Sequence, residues 1–305
     1  MSSVLDPVKQ LFSPPRPLWA CEFTAQHIIV AGVDSSRKRI AGSVAASLPG
    51  DTLAGSLSDR NILNSDAALD IARNALKEAG ARGFDVSVVV PDDSSRIAFL
   101  TADSLMGTTQ DRETFVRWKL KKSVPFDVDS AQIAYQVLGP HAGAEGKGID
   151  IVVALSPRSI VQEYEELLER LDLHAGYVIP STLAAMNLYP SGAAFAQADV
   201  LLVKLGPDSI TTTIFQNDLP RFYRRVGRIP IYDAVYPTMM YYQDKLGGTT
   251  LASAMVCGYD KDPHGEIAEL QDKLGVPVKR LEPKTVDDIY KPALGAVDLI
   301  WANLI

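Results

Sequence analysis

Short apolar runs of strand length alternate along this chain with one-sided apolar stripes at helical spacing. At the start, Val4, Val8, Leu11 and Phe12 make one or two amphipathic turns, which Pro14, Pro15 and Pro17 stop, so residues 1–17 are expected to form an arm. Strands are predicted at 18–23, 28–33 and 39–47, with a turn at Asp34-Ser35-Ser36 between the second and third. Ala68, Ala72, Ala75, Leu76 and Ala79 then share one stripe of a helix over 66–79, closed by Gly80 and Gly83. Residues 84–90 read as a fully buried strand ended by Pro91.

This order of three strands, a helix and a strand predicts a mixed sheet flanked by helices. It begins again near Ala198, with strands at 200–205, 209–216 and 219–226, and Asn217-Asp218 as the turn joining the last two. A helix over 231–246, a strand at 251–257, a helix near 265–274, a strand at 276–281 and a final helix from about Thr285 complete the second round. Tyr290, Leu294, Val297, Ile300 and Trp301 give that last helix its apolar spacing, and Pro292 should begin or kink it. Between the copies lies a strand–helix–strand–strand group (96–102, 109–124, 131–138, 148–155), followed by a helix over 159–171, a strand at 175–179 and a helix at 181–189. The expected fold is therefore α/β and internally duplicated, with residues 18–93 and 156–195 as a first lobe, 94–155 as an inserted subdomain and 196–305 as a second lobe.

Composition narrows the chemistry. A net charge of -7 lacks the basic footprint that general nucleic-acid binding needs. The longest apolar runs are strand-length, far below the roughly 20 residues of a membrane-spanning helix, and no basic leader precedes an apolar core. Cys21 and Cys257 lie in apolar runs and read as buried free thiols. The four histidines are scattered without metal-ligand spacing, so no metal site is expected and the cytoplasm is the default compartment.

The insert carries the most specific pattern. FVRWKLKKSVPFDVD from Phe115 and IAYQVLG from Ile133 resemble the PilM family of type IV pilus assembly proteins, in which a helix with an R-W core runs into a (I/V)-P-F turn and a strand close to D-Y-Q-V-L. The resemblance extends in element order over about residues 18–300; the cytoplasmic domain of the GspL proteins of type II secretion is similar. It implies an actin-like fold, made of duplicated RNase H-like lobes with an inserted small subdomain, at the cytoplasmic face of the inner membrane. It also implies pilus platform or motor proteins as partners, and a groove for the short cytoplasmic tail of a PilN-like inner-membrane protein. Trp118, Pro125, Phe126 and Tyr135 are the partner-binding candidates, and the same residues serve equally as the insert's core, with Pro125 simply stopping the helix.

An actin-like protein would hold a nucleotide on two glycine-containing turns whose backbone N–H groups point at phosphate. At the first turn the family's D-I-G is replaced here by Glu22-Phe23-Thr24; at the second it is replaced by Lys204-Leu205-Gly206. The nucleoside-side G-G becomes Gly258-Tyr259, and the run of helices that covers the nucleotide in relatives has no counterpart after Arg225, where only Val226–Pro230 precede the next helix. Lys204 is either a charge for a phosphate or an ion-paired or solvated strand-end lysine. These departures predict a scaffold with a degenerate nucleotide site, no catalytic residues and no cofactor. The alternative is a divergent ATP-binding switch holding ATP and Mg²⁺, kept open by Gly206 and Gly258. A sugar or acetate kinase of the same superfamily would need a catalytic carboxylate beside intact phosphate turns. A basic cluster, Arg221, Arg224, Arg225 and Arg228, is left facing either anionic lipid or an acidic partner.

Overall fold

A computed structural model of the chain describes residues 16–104, 107–141, 148–189, 198–258, 264–281 and 286–297. Its first sheet joins β1 (Trp19–Phe23), β2 (His27–Val33), β3 (Ile40–Ser47), β4 (Asp85–Val90) and β8 (His174–Pro180) in the order β3-β2-β1-β4-β8. The second joins β9 (Val200–Leu205), β10 (Ser209–Gln216), β11 (Leu219–Gly227), β12 (Ser253–Gly258) and β13 (Val278–Arg280) in the order β11-β10-β9-β12-β13. In both, the first three strands form an antiparallel meander and the last two add in parallel, so the two sheets repeat one topology. The third sheet belongs to the insert: β5 (Arg96–Ala102), β7 (Ile149–Pro157) and β6 (Ala131–Pro140), in the antiparallel order β5-β7-β6.

Local chemistry explains most element ends. Helix α1 (Ser65–Ala79) starts where Asn64 accepts from the Ala67 amide, and ends at Gly80, whose left-handed φ of 76° closes the last turn. A capping box between Thr108 and Asp111 starts α2 (Thr109–Leu120). This helix is four residues shorter than its apolar pattern, because Pro125 disfavours helical backbone just before it and Ser123 bonds back to the Leu120 carbonyl. Asn217 and Asp218 both adopt positive φ, the conformation a tight β10–β11 hairpin needs. Only Arg228–Pro230 separate β11 from α5 (Ile231–Asp244).

Four apolar clusters hold the molecule. One lies between the first sheet and α1 together with α3 (Arg158–Glu169), and includes Trp19, Cys21, Phe23, Leu76 and Tyr164. Another backs the second sheet against α5 and α6 (His264–Leu274), with Val203, Ile214 and Tyr242. The insert has its own small cluster around Val116, Leu120 and Val153. The fourth joins the lobes: Ala20, Ile29 and Val89 of the first sheet face Val200, Leu202 and Met255 of the second, across α4 (Ser181–Met186) and α7 (Lys291–Ala296). Alternate residues of β1 thus enter two different cores, Ala20 on one face and Trp19, Cys21 and Phe23 on the other, which is why its sequence is apolar except at Glu22.

Helix α7 therefore packs between the lobes, with Pro292 in its first turn and Gly295 against the Ala184 carbonyl, where a Cβ would lie 1.9 Å from that oxygen. Ser87 and Asn187 of the first lobe donate to its Ala296 and Gly295 carbonyls. Of the expected N-terminal arm, residues 1–15 lie outside the described residues; Arg16 lies over the Tyr177 ring, and Arg37 donates to both the Arg16 and the Val297 carbonyls. Residues 298–305, which include Ile300 and Trp301, also lie outside them.

Candidate functional site

The parallel strands of the two sheets end facing one another, and their ends build a cleft. Glu22 comes from β1 and Asp92 from the 3-10 turn Asp92–Ser94 after β4; Ser181 opens α4, and Lys204 comes from β9 of the other lobe. The cavity among them measures about 60 Å³ and is also lined by Gly206 and Ser209. That is room for a few waters, against roughly 300–1,000 Å³ for small-molecule pockets. Protein charges fill the remainder. Lys204 Nζ lies 2.9 Å from Asp92 Oδ2, and their side chains are 5% and 4% exposed. Thr182 donates its amide and its hydroxyl to the same carboxylate at 2.8 and 2.6 Å, and its Oγ1 lies 3.1 Å from that of Thr211 in the second lobe. Glu22, fully buried, accepts from Ser181 Oγ at 2.6 Å.

Burial by itself would raise the Asp92 pKa and lower that of Lys204. The ammonium beside Asp92, with the two Thr182 bonds, outweighs burial and holds the carboxyl below its ordinary range. Asp92 and Glu22 likewise outweigh burial at Lys204 and keep the lysine protonated. The two cysteines are buried free thiols, with the Cys257 thiol pushed up to about 12 by burial. Among the described residues no group of three or more His, Cys, Asp or Glu side chains is placed to hold a metal ion.

Both turns spend backbone N–H groups on bonds within the turn. Thr24 Oγ1 accepts from the amides of His27 at 2.8 Å and Gln26 at 3.2 Å, satisfying the N–H groups an anion would need. At the second turn the Gly206 amide donates to the Ser209 carbonyl at 2.7 Å, and the next residue, Pro207, has no N–H. Gly258 has a packing reason to be glycine: a Cβ there would lie 2.5 Å from Leu205 Cβ, its parallel neighbour. Tyr259 lies outside the described residues. Sequence reasoning missed Asp92 and Pro207. Asp92 sits in a three-residue turn too short to carry periodicity, whereas Pro207 beside a proposed phosphate glycine was a readable signal.

A roomier concavity of about 510 Å³ adjoins the cleft where the first lobe, the insert and β11 meet. Its walls are Gly55–Leu57, Ser95–Ile97 and Tyr223–Arg225, and Asp92 and Asp93 form the edge it shares with the cleft. Asn61, fully buried, fixes the first wall by accepting from the Ser56 amide and donating to its carbonyl, while Glu163 of α3 accepts from the Asn61 and Ile62 amides at 2.9 Å each. The second wall is held where Ser156 donates to the Ser94 carbonyl at 2.7 Å. Arg96 stands exposed at the start of β5.

The insert's candidates lie elsewhere. Phe126 and Tyr135 are half-buried against the insert's apolar cluster, Pro125 is exposed, and Trp118 is 68% exposed, with its ring 6.4 Å from that of Phe115. The four basic residues near β11 are engaged within the protein. Arg221 pairs with Asp150 of the insert at 2.6 Å, Arg224 donates to the Ala234 carbonyl, Arg225 pairs with Asp93, and Arg228 pairs with Glu266 at 2.9 Å. No described helix is long and apolar enough to cross a membrane.

Comparison with protein-family models and with curated proteins yields no match. Solved structures do match. A chain of a PilM-PilN type IV pilus biogenesis complex superposes with a TM-score of 0.74 over 93% of this chain and 98% of its own, at 16% identity. A Bacteroides thetaiotaomicron protein of actin-like ATPase fold and unknown function superposes at 0.55, over 91% of this chain and 94% of its own, at 8% identity. The cytoplasmic domain of EpsL, an inner-membrane component of the Vibrio cholerae type II secretion system, superposes at 0.50, over 80% and 83%, at 10% identity. With two sheets of one repeated topology closing on a shared cleft, the chain has the actin-like fold.

Proposed function

We propose that this chain is a cytoplasmic scaffold of a type IV pilus inner-membrane assembly platform, which receives the short tail of a PilN-like membrane protein and does not turn over nucleotide. The observation that carries the reading is the contrast between adjoining concavities: about 60 Å³ in the cleft and about 510 Å³ at the seam. The seam groove has the size of a ligand site and lies between rigid walls, with Leu57 as half-buried apolar surface and Arg96 as an exposed cation. The likeness to a structure of a PilM-PilN complex supports this choice of partner. The three-residue link before α5 supports the loss of the subdomain that covers a nucleotide in relatives.

The test is a binding titration of the full chain with a synthetic peptide of the tail of the PilN-like protein encoded beside it. Binding that Arg96→Glu weakens and Trp118→Ala leaves intact supports the seam; the reverse pattern moves the site to the α2 face of the insert. A thermal shift of several degrees with Mg²⁺ and ATP would sink the nucleotide-free reading and favour the ATP-binding switch.

A further inference from the structure

The cleft raises a question that loss of nucleotide alone leaves open: what holds the two lobes together along the edge where a ligand would bridge them. Two consecutive acids of the first lobe, Asp92 and Asp93, each meet a base from the second, Lys204 from β9 and Arg225 from β11. The Asp92 pair is the buried one, and it is set in a polar shell drawn from both lobes, Thr182 on one side and Thr211 on the other. Glu22 faces the same cavity, so the first lobe alone would present two buried carboxylates and the hydroxyls of Ser181 and Thr182. Buried charge of one sign is not tolerated without a counter-charge. Oxygen ligands of this kind suit a hard cation.

We propose that Lys204 is a tethered counter-ion: its ammonium stands at the cation position of a cleft whose carboxylates come from the other lobe, and it fastens the lobes together with no ligand at all. The inference deepens the reading of the cleft as closed to nucleotide, and it does not depend on where a partner peptide binds. Lys204 is covalently part of β9 and lies 2.9 Å from Asp92, so the local concentration of the counter-ion is permanent. An ordinary cation or a nucleotide-bound metal ion would have to displace an ammonium that already has a charged partner at 2.9 Å.

The experiment compares the full chain with Lys204→Met and with the double variant Lys204→Met/Asp92→Leu, by thermal melting with and without millimolar manganese or calcium chloride. Wild type should show no response to either cation. Lys204→Met should melt on the order of 10 °C lower, because it strands a buried carboxylate, and should recover much of that loss when the cation is added. The double variant should melt close to wild type and ignore the cation. Where Lys204→Met does not stay folded alone, the same comparison is read as refolding yield with and without the cation. A Lys204→Met protein that melts like wild type, one that gains nothing from either cation, or a double variant no better than the single one overturns the proposal. Stabilisation of wild type by Mg²⁺ and ATP would instead overturn the nucleotide-free reading, and that arm is independent of the variants.

Discussion

Cleft and seam groove share Asp92 and Asp93 as a common edge, yet they are opposite kinds of surface. In the cleft, Asp92, Lys204 and Thr182 bond to one another, and the cavity left over is about 60 Å³. In the groove the walls are just as firmly held, by Asn61 and Ser156, but their facing groups are turned outward and the space is about 510 Å³. The difference teaches where binding capacity resides. A concavity whose charges are matched and whose space is filled is structural, whereas the groove keeps its volume open and presents one exposed cation, Arg96, beside the matched pair Arg225–Asp93.

The sharpest way to break that comparison is to remove one member of the matched set. Asp92→Ala should cost about 3–5 kcal/mol of unfolding free energy, measured by chemical denaturation, because Lys204 is left buried without its partner. Acid offers the same test without mutation. The folded-state pKa of Asp92 is depressed, so its contribution is present above the ordinary aspartate range and is lost as pH falls through its lower folded value. The pKa of Lys204 is raised, so its contribution is present below the ordinary lysine range and is lost as pH rises through its higher folded value. The clasp should therefore hold across the whole range between these limits, and a stability loss centred near neutral pH would have to come from another group.

In the groove the expected effects are on binding. Arg96→Glu should weaken tail binding roughly 10- to 100-fold, the scale of a lost charge-assisted bond, with little change in melting temperature. Within the insert, Phe126→Ala should cost about 1–2 kcal/mol of stability, as a half-buried ring against the apolar cluster. Trp118→Ala should stay within about 0.5 kcal/mol, as its side chain is largely exposed. Calorimetry of the two variants separates core from surface. The smallest effect belongs to Thr24→Gly. It frees the Gln26 and His27 amides yet should confer no ATP binding in equilibrium dialysis, since Lys204 and Asp92 still fill the cleft.

Much of the architecture is legible in the sequence because it rests on local rules. The Asn217-Asp218 turn, the Gly80 helix stop and the apolar stretches Val88–Val90 of β4 and Val200–Val203 of β9 each carry their structural reason within a few residues. The helix at α2 reads four residues too long because the apolar spacing runs on through Val124, while the backbone obeys the approaching Pro125. The site is less legible. Lys204 reads as a substitution, but its partner lies 112 residues away in a turn with no pattern of its own, and no periodicity connects them. The groove walls are likewise made of short loops, Gly55–Leu57 and Ser95–Ile97, whose meeting is a property of the tertiary fold. Arg221, Arg225 and Arg228 read as a surface patch because their partners, Asp150 of the insert, Asp93 of the first lobe and Glu266 of the second, come from three different regions of the chain.

Helix α7 gives the molecule an order of assembly. Ser87, in the middle of the first sheet, donates to a carbonyl 209 residues later, and Arg37 reaches 260 residues ahead to Val297. On the ribosome, β1, β2, β4 and β8 are complete by Pro180, but the face that packs on α7 stays open until the segment through Val297 emerges, on the order of ten seconds later. The lobe synthesised first is thus the one that finishes last. For that interval the nascent chain exposes the apolar face of Ala20, Ile29 and Val89, a natural client surface for a holding chaperone.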